Sequence, residues 1–279
     1  MIIVVDSGST KTHGVLIAPD GKQFPFECAG INPLFHTESY IENLFREVDA
    51  LQPYRQDVTS IHYFGAGCST DERNARVKDG LQAVFPLASI HVDHDLMGAA
   101  LSNYTGKPNV SCILGTGTST GYYNGEKLIR KVPSLGYILG DEGSGADIGK
   151  VILRDYLYGC VPSTISKTLE SIIGNNTETI IDTLYRQPNP NRYLAGIVRH
   201  LQIHQNETYF QDLMVDRFQR FAESQLHPYR ELTNYASFVG GIAFHFSDIL
   251  KSVLEKEGWN VVQIRERPLE GLVKSVLGK

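Results

Sequence analysis

Two short stretches of this 279-residue chain gather small and hydroxylic residues at the end of an apolar run: Asp6-Ser7-Gly8-Ser9-Thr10-Lys11 and Gly115-Thr116-Gly117-Thr118-Ser119. Consecutive backbone amides and small hydroxyls in a turn make a concave anion nest, so either stretch can hold phosphate. Neither is a Walker loop, which needs GxxxxGK[ST] between a strand and a helix. The dinucleotide fingerprint fails too, because "GTGTSTG" and "GSGADIG" space their glycines GxGxxxG and the first enters no helix. Two readings remain: hairpin turns whose glycines supply positive φ, or two turns that clamp the β- and γ-phosphates of a nucleotide. Asp6 favours the clamp. A carboxylate beside a phosphate nest is repulsive unless a metal lies between, and Mg²⁺ is normally held by one or two carboxylates plus phosphate oxygens.

Two acidic clusters add to this. In "SIHVDHDLMGAAL" a strand ends on Asp93 and Asp95 where a helix begins. His91, Asp93, His94 and Asp95 invite a zinc or iron reading, but on a strand His91 and Asp93 share a face while His94 points away. No second His-rich motif completes a ligand set. Asp141 and Glu142, in "LGDEGSGADIGK", stand just before a helix. They are either favourable charge at a helix N-terminus or acceptors for sugar hydroxyls, each of which donates a proton.

These residues need elements to hold them. "IIVV", "THGVLIA" and "QFPFECA" predict three meandering strands, the last two joined by a turn at Pro19-Asp20-Gly21. Tyr40, Ile41, Leu44, Val48 and Leu51 recur at helical spacing over 38–50. "VTSIHYFGAG" predicts a buried strand, Thr70 caps a helix over "DERNARVKDGLQAVF", and "ASIHVDHD" predicts a further strand and helix. The meander then restarts: "VSCILGTGTSTGYYNGEKLIRKV" reads as strand, turn, strand, an Asn124-Gly125 hairpin signal and a third strand. Long helical stretches follow, broken at "QPNPN", before the strand and glycine turn of "YASFVGGIAF", the strand "WNVVQIRE" and a terminal helix. Strand–glycine turn–strand thus occurs twice.

In that order, "DSGSTKT", "GTGTS" and "VGGIA" resemble the phosphate-1, phosphate-2 and adenosine motifs of the sugar kinase/actin/Hsp70 superfamily. "GDEGS" (140–144) and "GIN" (30–32) resemble its N-acetylglucosamine kinase-like branch, within the BadF/BadG-type ATPase family. The resemblance spans nearly the whole chain. It implies an α/β fold of two ribonuclease-H-like (actin-like ATPase) domains, with mixed five-stranded sheets flanking an interdomain cleft. Residues 1–107 plus 268–279 would form one domain, and 108–267 the other with a helical insert. It implies ATP held by Ser7, Gly8, Ser9, Thr10, Lys11, Gly115, Thr116, Gly117 and Thr118, with adenosine near Gly240 and Gly241 and Mg²⁺ on Asp6 through water. Asp95 would take the proton from the attacking sugar hydroxyl, most simply a 6-OH. Alternatively it only caps its helix. Asn32, Ser119, Asp141 and Glu142 would bind the sugar alongside Asp95. The rival readings are an ATPase that drives a partner protein's conformation and a non-catalytic sugar sensor.

The chain departs from the pattern in places. Ser7 and Ser9 replace two glycines, and Ser119 and Leu135 stand where the acetylglucosamine kinases carry an asparagine and a tryptophan, so the resemblance carries the reaction better than the sugar. Lys11 is as readily a solvent-facing strand residue as a phosphate contact. Composition bounds the rest. A hydrophobic content of 42% and a charged content of 20% describe an ordinary globular chain. A net charge of -5 argues against a nucleic-acid or anionic-membrane partner. The four cysteines form no CxxC pair, which fits a reduced, cytoplasmic protein. A homodimer is implied by the family alone.

Overall fold

In the strand β1 (Ile2–Ser7), Ile3 and Val5 face one side and Val4 the other, and all three are fully buried. Such a strand belongs at the centre of a sheet covered on both faces. β1 pairs antiparallel with β2 (Lys11–Ile17), and β2 with β3 (Gln23–Ala29). On its other edge β1 pairs parallel with β4 (Ser60–Gly65), and β4 with β5 (Ser89–His94). Helices α1 (Glu38–Arg46) and α2 (Asp71–Gln82) cover the Ile3 face through Ile41, Phe45, Val77 and Leu81. Thr37 and Thr70 cap them, each hydroxyl accepting from the amide three residues on. α3 (Asp95–Asn103) leaves the end of β5 and lies on the Val4 face. The helical pattern over 38–50 is cut short at Arg46. Pro53 would clash with the carbonyl of Asp49 in a continued α-helix, and a 3₁₀ turn, Asp49–Tyr54, takes its place.

The computed structural model describes residues 1–8 and 10–278, in two units: Met1–Asn103 with Pro268–Lys279, and Tyr104–Arg267. The second repeats the first unit's sheet. β6 (Asn109–Leu114) pairs antiparallel with β7 (Thr118–Tyr123), and β7 with β8 (Leu128–Ile129). After the short helix α4 (Gly136–Leu139) come α5 (Gly145–Leu157), α6 (Ser163–Ile173), α7 (Thr177–Arg186), α8 (Pro190–His200) and α9 (Thr208–Phe221). β9 (Tyr235–Val239) then pairs parallel with β6. Past α10 (Gly241–His245) and α11 (Ser247–Lys256), β10 (Asn260–Arg265) pairs parallel with β9. The two five-stranded orders, β3-β2-β1-β4-β5 and β8-β7-β6-β9-β10, coincide strand for strand. Val110, Cys112 and Leu114 of β6 pack with Ile148, Ile152, Phe218 and Phe221 in one core. β8 is shorter than its sequence suggests, because the amides of Lys131 and Val132 bond the Tyr229 hydroxyl rather than a strand.

The last helix, α12 (Leu269–Val276), returns to the first unit. Leu272 and Val273 close the second face of that sheet against Val4, Val15, Ile17 and Phe64. Leu272 is fully buried. Truncating it to alanine is therefore expected to destabilise the protein by about 2–5 kcal/mol, read as a lower denaturant midpoint with little change in slope. An unchanged midpoint would show that α12 is not part of this core.

Candidate active site

The Gly115–Gly117 turn is oriented by the helix that follows it. The first amides of a helix have no partner within it and must find one elsewhere. In α5 the Gly145 amide donates to the Gly115 carbonyl at 2.8 Å and the Ala146 amide to the Thr116 carbonyl at 3.1 Å. With its carbonyls held on that side, the turn shows its amides elsewhere. Gly115 N–H closes the turn on the Gly117 carbonyl, while those of Thr116 and Gly117 have no acceptor among the described residues. Two successive amides without an acceptor in one turn are what an anion nest requires.

Asp141 lies against the same turn. Its Oδ1 accepts from the Thr118 amide at 3.1 Å. A β-carbon at Gly117 would sit 2.9 Å from its Oδ2, so the close approach requires glycine there. The Asp141 backbone is left-handed, φ 61°, a region that Asp and Asn tolerate better than most residues. Its pKa is raised, chiefly by burial, with the charges of Glu142 and Asp147 adding and the Thr118 hydrogen bond opposing. Helix capping does not account for it. Ser144 is the N-cap, its hydroxyl accepting from Asp147 N, and Asp147 accepts from Gly143 N. Glu142 turns to Gln225, whose Nε2 donates to its Oε2 at 2.9 Å. Ser119 meets Arg130 and Ser134 at 3.4 Å each.

A cavity of about 170 Å³ opens beside the turn, lined by Gly115, Thr116, Gly241, Arg199, Gln202 and His245 among others. Gly241 thus lines the same cavity as Gly115 and Thr116. Gly240 does not line the cavity. It packs on the end of β6, where a β-carbon would meet the Leu114 carbonyl at 2.4 Å. Arg199 and Gln202 were not legible beforehand, since they come from the helical insert and carry no motif. His245 lies one helical turn beyond Gly241, the only signal that could have pointed to it.

In the first unit, Asp6 is the last residue but one of β1, Gly8 follows the strand, and Gly8 N–H donates to the Lys11 carbonyl. Ser9 lies outside the described residues. Thr10 is exposed and its carbonyl accepts from Gly30 N at 3.1 Å. The Lys11 ammonium is exposed, 3.4 Å from Glu27. Ser7, expected at the phosphate, turns its side chain inward instead: it is fully buried, with Oγ 2.7 Å from Thr12 Oγ1 and accepting from Ile31 N at 3.3 Å. Asn32 is half-buried, and its Oδ1 accepts from Leu34 N, leaving Nδ2 as its donor.

At the head of α3, His94 makes the capping bond, its Nδ1 accepting from Met97 N at 3.0 Å. Asp93 accepts from His94 N at 2.7 Å and lies within 4 Å of both the His91 and His94 rings. Asp95 is the first residue of the helix, its Oδ1 accepting from Leu96 N. Asp93 and Asp95 both bear on Cys68, whose buried thiol is pushed up to about 12 by burial first and their charges second. Among the described residues no three His, Cys, Asp or Glu side chains form a metal-binding group. No described helix is long and apolar enough to cross a membrane.

Two mixed five-stranded sheets of this order, with their helices, define the actin-like ATPase fold shared by sugar kinases. No protein-family model and no curated protein sequence matches the chain. Solved structures do. A candidate N-acetylglucosamine kinase from Porphyromonas gingivalis is 31% identical, with a TM-score of 0.94 over 100% of this chain and 99% of that one. A second, from Chromobacterium violaceum, is 19% identical with a TM-score of 0.71 over 99% and 98%. A ROK family glucokinase from Streptomyces griseus, in complex with glucose and AMPPNP, shares the fold at 16% identity and a TM-score of 0.60 over 98% and 97%. On the first of these matches, the chain belongs to the N-acetylglucosamine kinase-like family of sugar kinases.

The raised pKa of Asp141 gives a stability prediction. A carboxylate whose native pKa lies above its unfolded value costs nothing while both states are protonated. Its penalty grows as pH rises from about 3.8, the ordinary value of an aspartate, and is complete above the raised native value. Asp141→Asn keeps an acceptor for Thr118 N–H and tolerates the left-handed backbone. It should therefore melt a few degrees higher than the wild type at pH 7, with the gap closing as pH falls towards 4. A variant that melts lower at pH 7 would show that the ionised carboxylate stabilises the native state.

Proposed function

We propose that the protein transfers the γ-phosphoryl group of ATP to a sugar hydroxyl, specifically the 6-OH of N-acetylglucosamine or a related amino sugar. The observation that carries this reading is the Gly115–Thr118 turn: two amides with no acceptor among the described residues, suited to phosphate, and an Asp141 carboxylate suited to sugar hydroxyls share one turn. Phosphoryl transfer asks mostly for positioning and charge stabilisation, and this turn supplies both. The amides of Thr116 and Gly117 would hold phosphate oxygens. Asp141, anchored through one oxygen, would accept from a sugar hydroxyl with the other. The cavity beside Gly241 would take the nucleoside, with Arg199 and Gln202 on its wall.

Asp95 would act as the base. It stands at the carboxyl end of a parallel strand, where α/β sheets place their ligands. Asp93 is held by the His94 amide and flanked by two imidazoles, and the cap of α3 is supplied by His94. Asn32 would donate from Nδ2 to the sugar. The oxygen donor of Asp6 fits Mg²⁺, which takes most of its ligands from water and phosphate. Asp6 would hold it through water, and the bound ion would neutralise phosphate charge.

The test is coupled ADP release against a panel of N-acetyl sugars, amino sugars and plain hexoses. At least one amino or N-acetyl sugar should stimulate turnover, and Asp95→Asn should lose about 10²–10⁴-fold in kcat while still folded. ADP release that no sugar stimulates would favour an ATPase serving a partner protein; sugar binding without turnover would favour a sensor. Near-normal turnover in Asp95→Asn would refute the base assignment.

A further inference from the structure

Ser7 and Thr12 form a buried polar pair that phosphate binding does not explain. Both are fully buried, opposite one another across β1 and β2, with their hydroxyl oxygens 2.7 Å apart. The donors in this pair can be assigned. Thr12 Oγ1 donates to the Ala29 carbonyl at 2.9 Å, which uses its one proton. Ser7 must then donate to Thr12, and Ser7 Oγ accepts from the Ile31 amide at 3.3 Å. The relay runs Ile31 N–H, Ser7 O–H, Thr12 O–H, Ala29 C=O. It starts and ends on the segment leaving β3, and between those ends the Gly30 amide donates to the Thr10 carbonyl. Three successive residues are thus bonded to the β1–β2 hairpin.

Asn32 comes next. Its amide donates to His36 Nδ1 at 3.2 Å, and His36 stacks on Tyr40 with ring centroids 4.2 Å apart. The residue is therefore held from the β3 side by the relay and from the α1 side by His36, with Nδ2 left to meet a ligand.

We propose that Ser7 and Thr12 are positioning residues, whose hydroxyl relay fixes Gly30-Ile31-Asn32, and so the Asn32 amide group, to the hairpin that carries the nucleotide turn. The proposal rests on the sugar-kinase reading. It differs from that reading in assigning Ser7 to the sugar side of the reaction rather than to phosphate. Hydrogen-bonded chains of this kind act as a unit, so loss of either member should release the segment.

The experiment compares Ser7→Ala, Thr12→Val, the double variant and Thr12→Ser, using N-acetylglucosamine and ATP as probes. Thr12→Val keeps the shape and removes the hydroxyl, while Thr12→Ser keeps the hydroxyl. Ser7→Ala and Thr12→Val should each raise the KM for the sugar by about tenfold, with the KM for ATP within about twofold and kcat within about threefold. The double variant should be no worse than the poorer single, and Thr12→Ser should restore the sugar KM. Amide exchange at Ile31 should quicken in Ser7→Ala. A rise in the KM for ATP that matches or exceeds the rise for sugar would overturn the proposal, as would a Thr12→Val enzyme with an unchanged sugar KM. If Ser7→Ala does not fold, the Thr12 pair decides alone. A wild-type protein that no sugar in the panel stimulates refutes the kinase reading itself. The Ile31 exchange rates then still decide whether the relay exists.

Discussion

A turn can bind phosphate only if something else holds its carbonyls away from the ligand. In the second unit that task falls to the first two amides of α5, which bond the carbonyls of Gly115 and Thr116. The arrangement meets two needs together. The helix start finds acceptors for amides that have none inside the helix, and the turn is set with Thr116 and Gly117 N–H outward. Ser144 and Asp147 complete the capping, which leaves Asp141 to approach the turn from the side. The Gly115–Gly117 turn, the start of α5 and Asp141 therefore form one hydrogen-bonded body. A change in any of them is transmitted through short backbone bonds rather than through long side chains.

The first unit has the same strand order and reaches a similar end by other means. There Gly30 N and Ile31 N, in the segment between β3 and α1, bond to the hairpin, while the first amides of α1 turn to Thr37. One backbone bond, Gly30 N–H to the Thr10 carbonyl, ties the segment after β3 to the residue just before β2. The rest is done by Ser7 and Thr12 from within the strands. A buried hydroxyl pair costs little when both hydroxyls donate and accept, as here, and it specifies one arrangement more sharply than apolar packing would. Serine in place of glycine at residue 7 thus has a structural reason.

Much of this was legible from the residues. Alternating apolar strands, two glycine-bearing turns and a repeated meander were enough for both sheets, because period and turn chemistry act locally. The direction of individual side chains was less accessible. Ser7 looked like a phosphate residue because it stands beside Gly8, but it lies on the strand at the position opposite Thr12, and register sends its hydroxyl inward. Asp95 could be ranked above Asp93 by its place at the helix start, but that His94 makes the capping bond to Met97 N could not be read from the residues. Arg199 and Gln202 reach the cavity from a helix some eighty residues away along the chain from Gly115, a contact that only tertiary packing creates.

The chain also spends stability at one place in a way that packing alone would not favour. Asp141 combines a left-handed backbone, partial burial of a carboxylate and two acidic neighbours, Glu142 and Asp147. Asparagine or glycine would relieve most of that cost and still permit the turn. Glu142 and Asp147 have their own partners in Gln225 and Gly143, and Arg217 approaches Asp147 at 3.7 Å, so the acidic excess is concentrated on Asp141. Strain and desolvation held together at one residue beside an anion nest are what functional sites keep and structural turns discard. Were a substrate hydroxyl to bind the other oxygen of Asp141, as the proposed function has it, its occupancy would bear on the conformation of the turn through the single bond to Thr118 N–H.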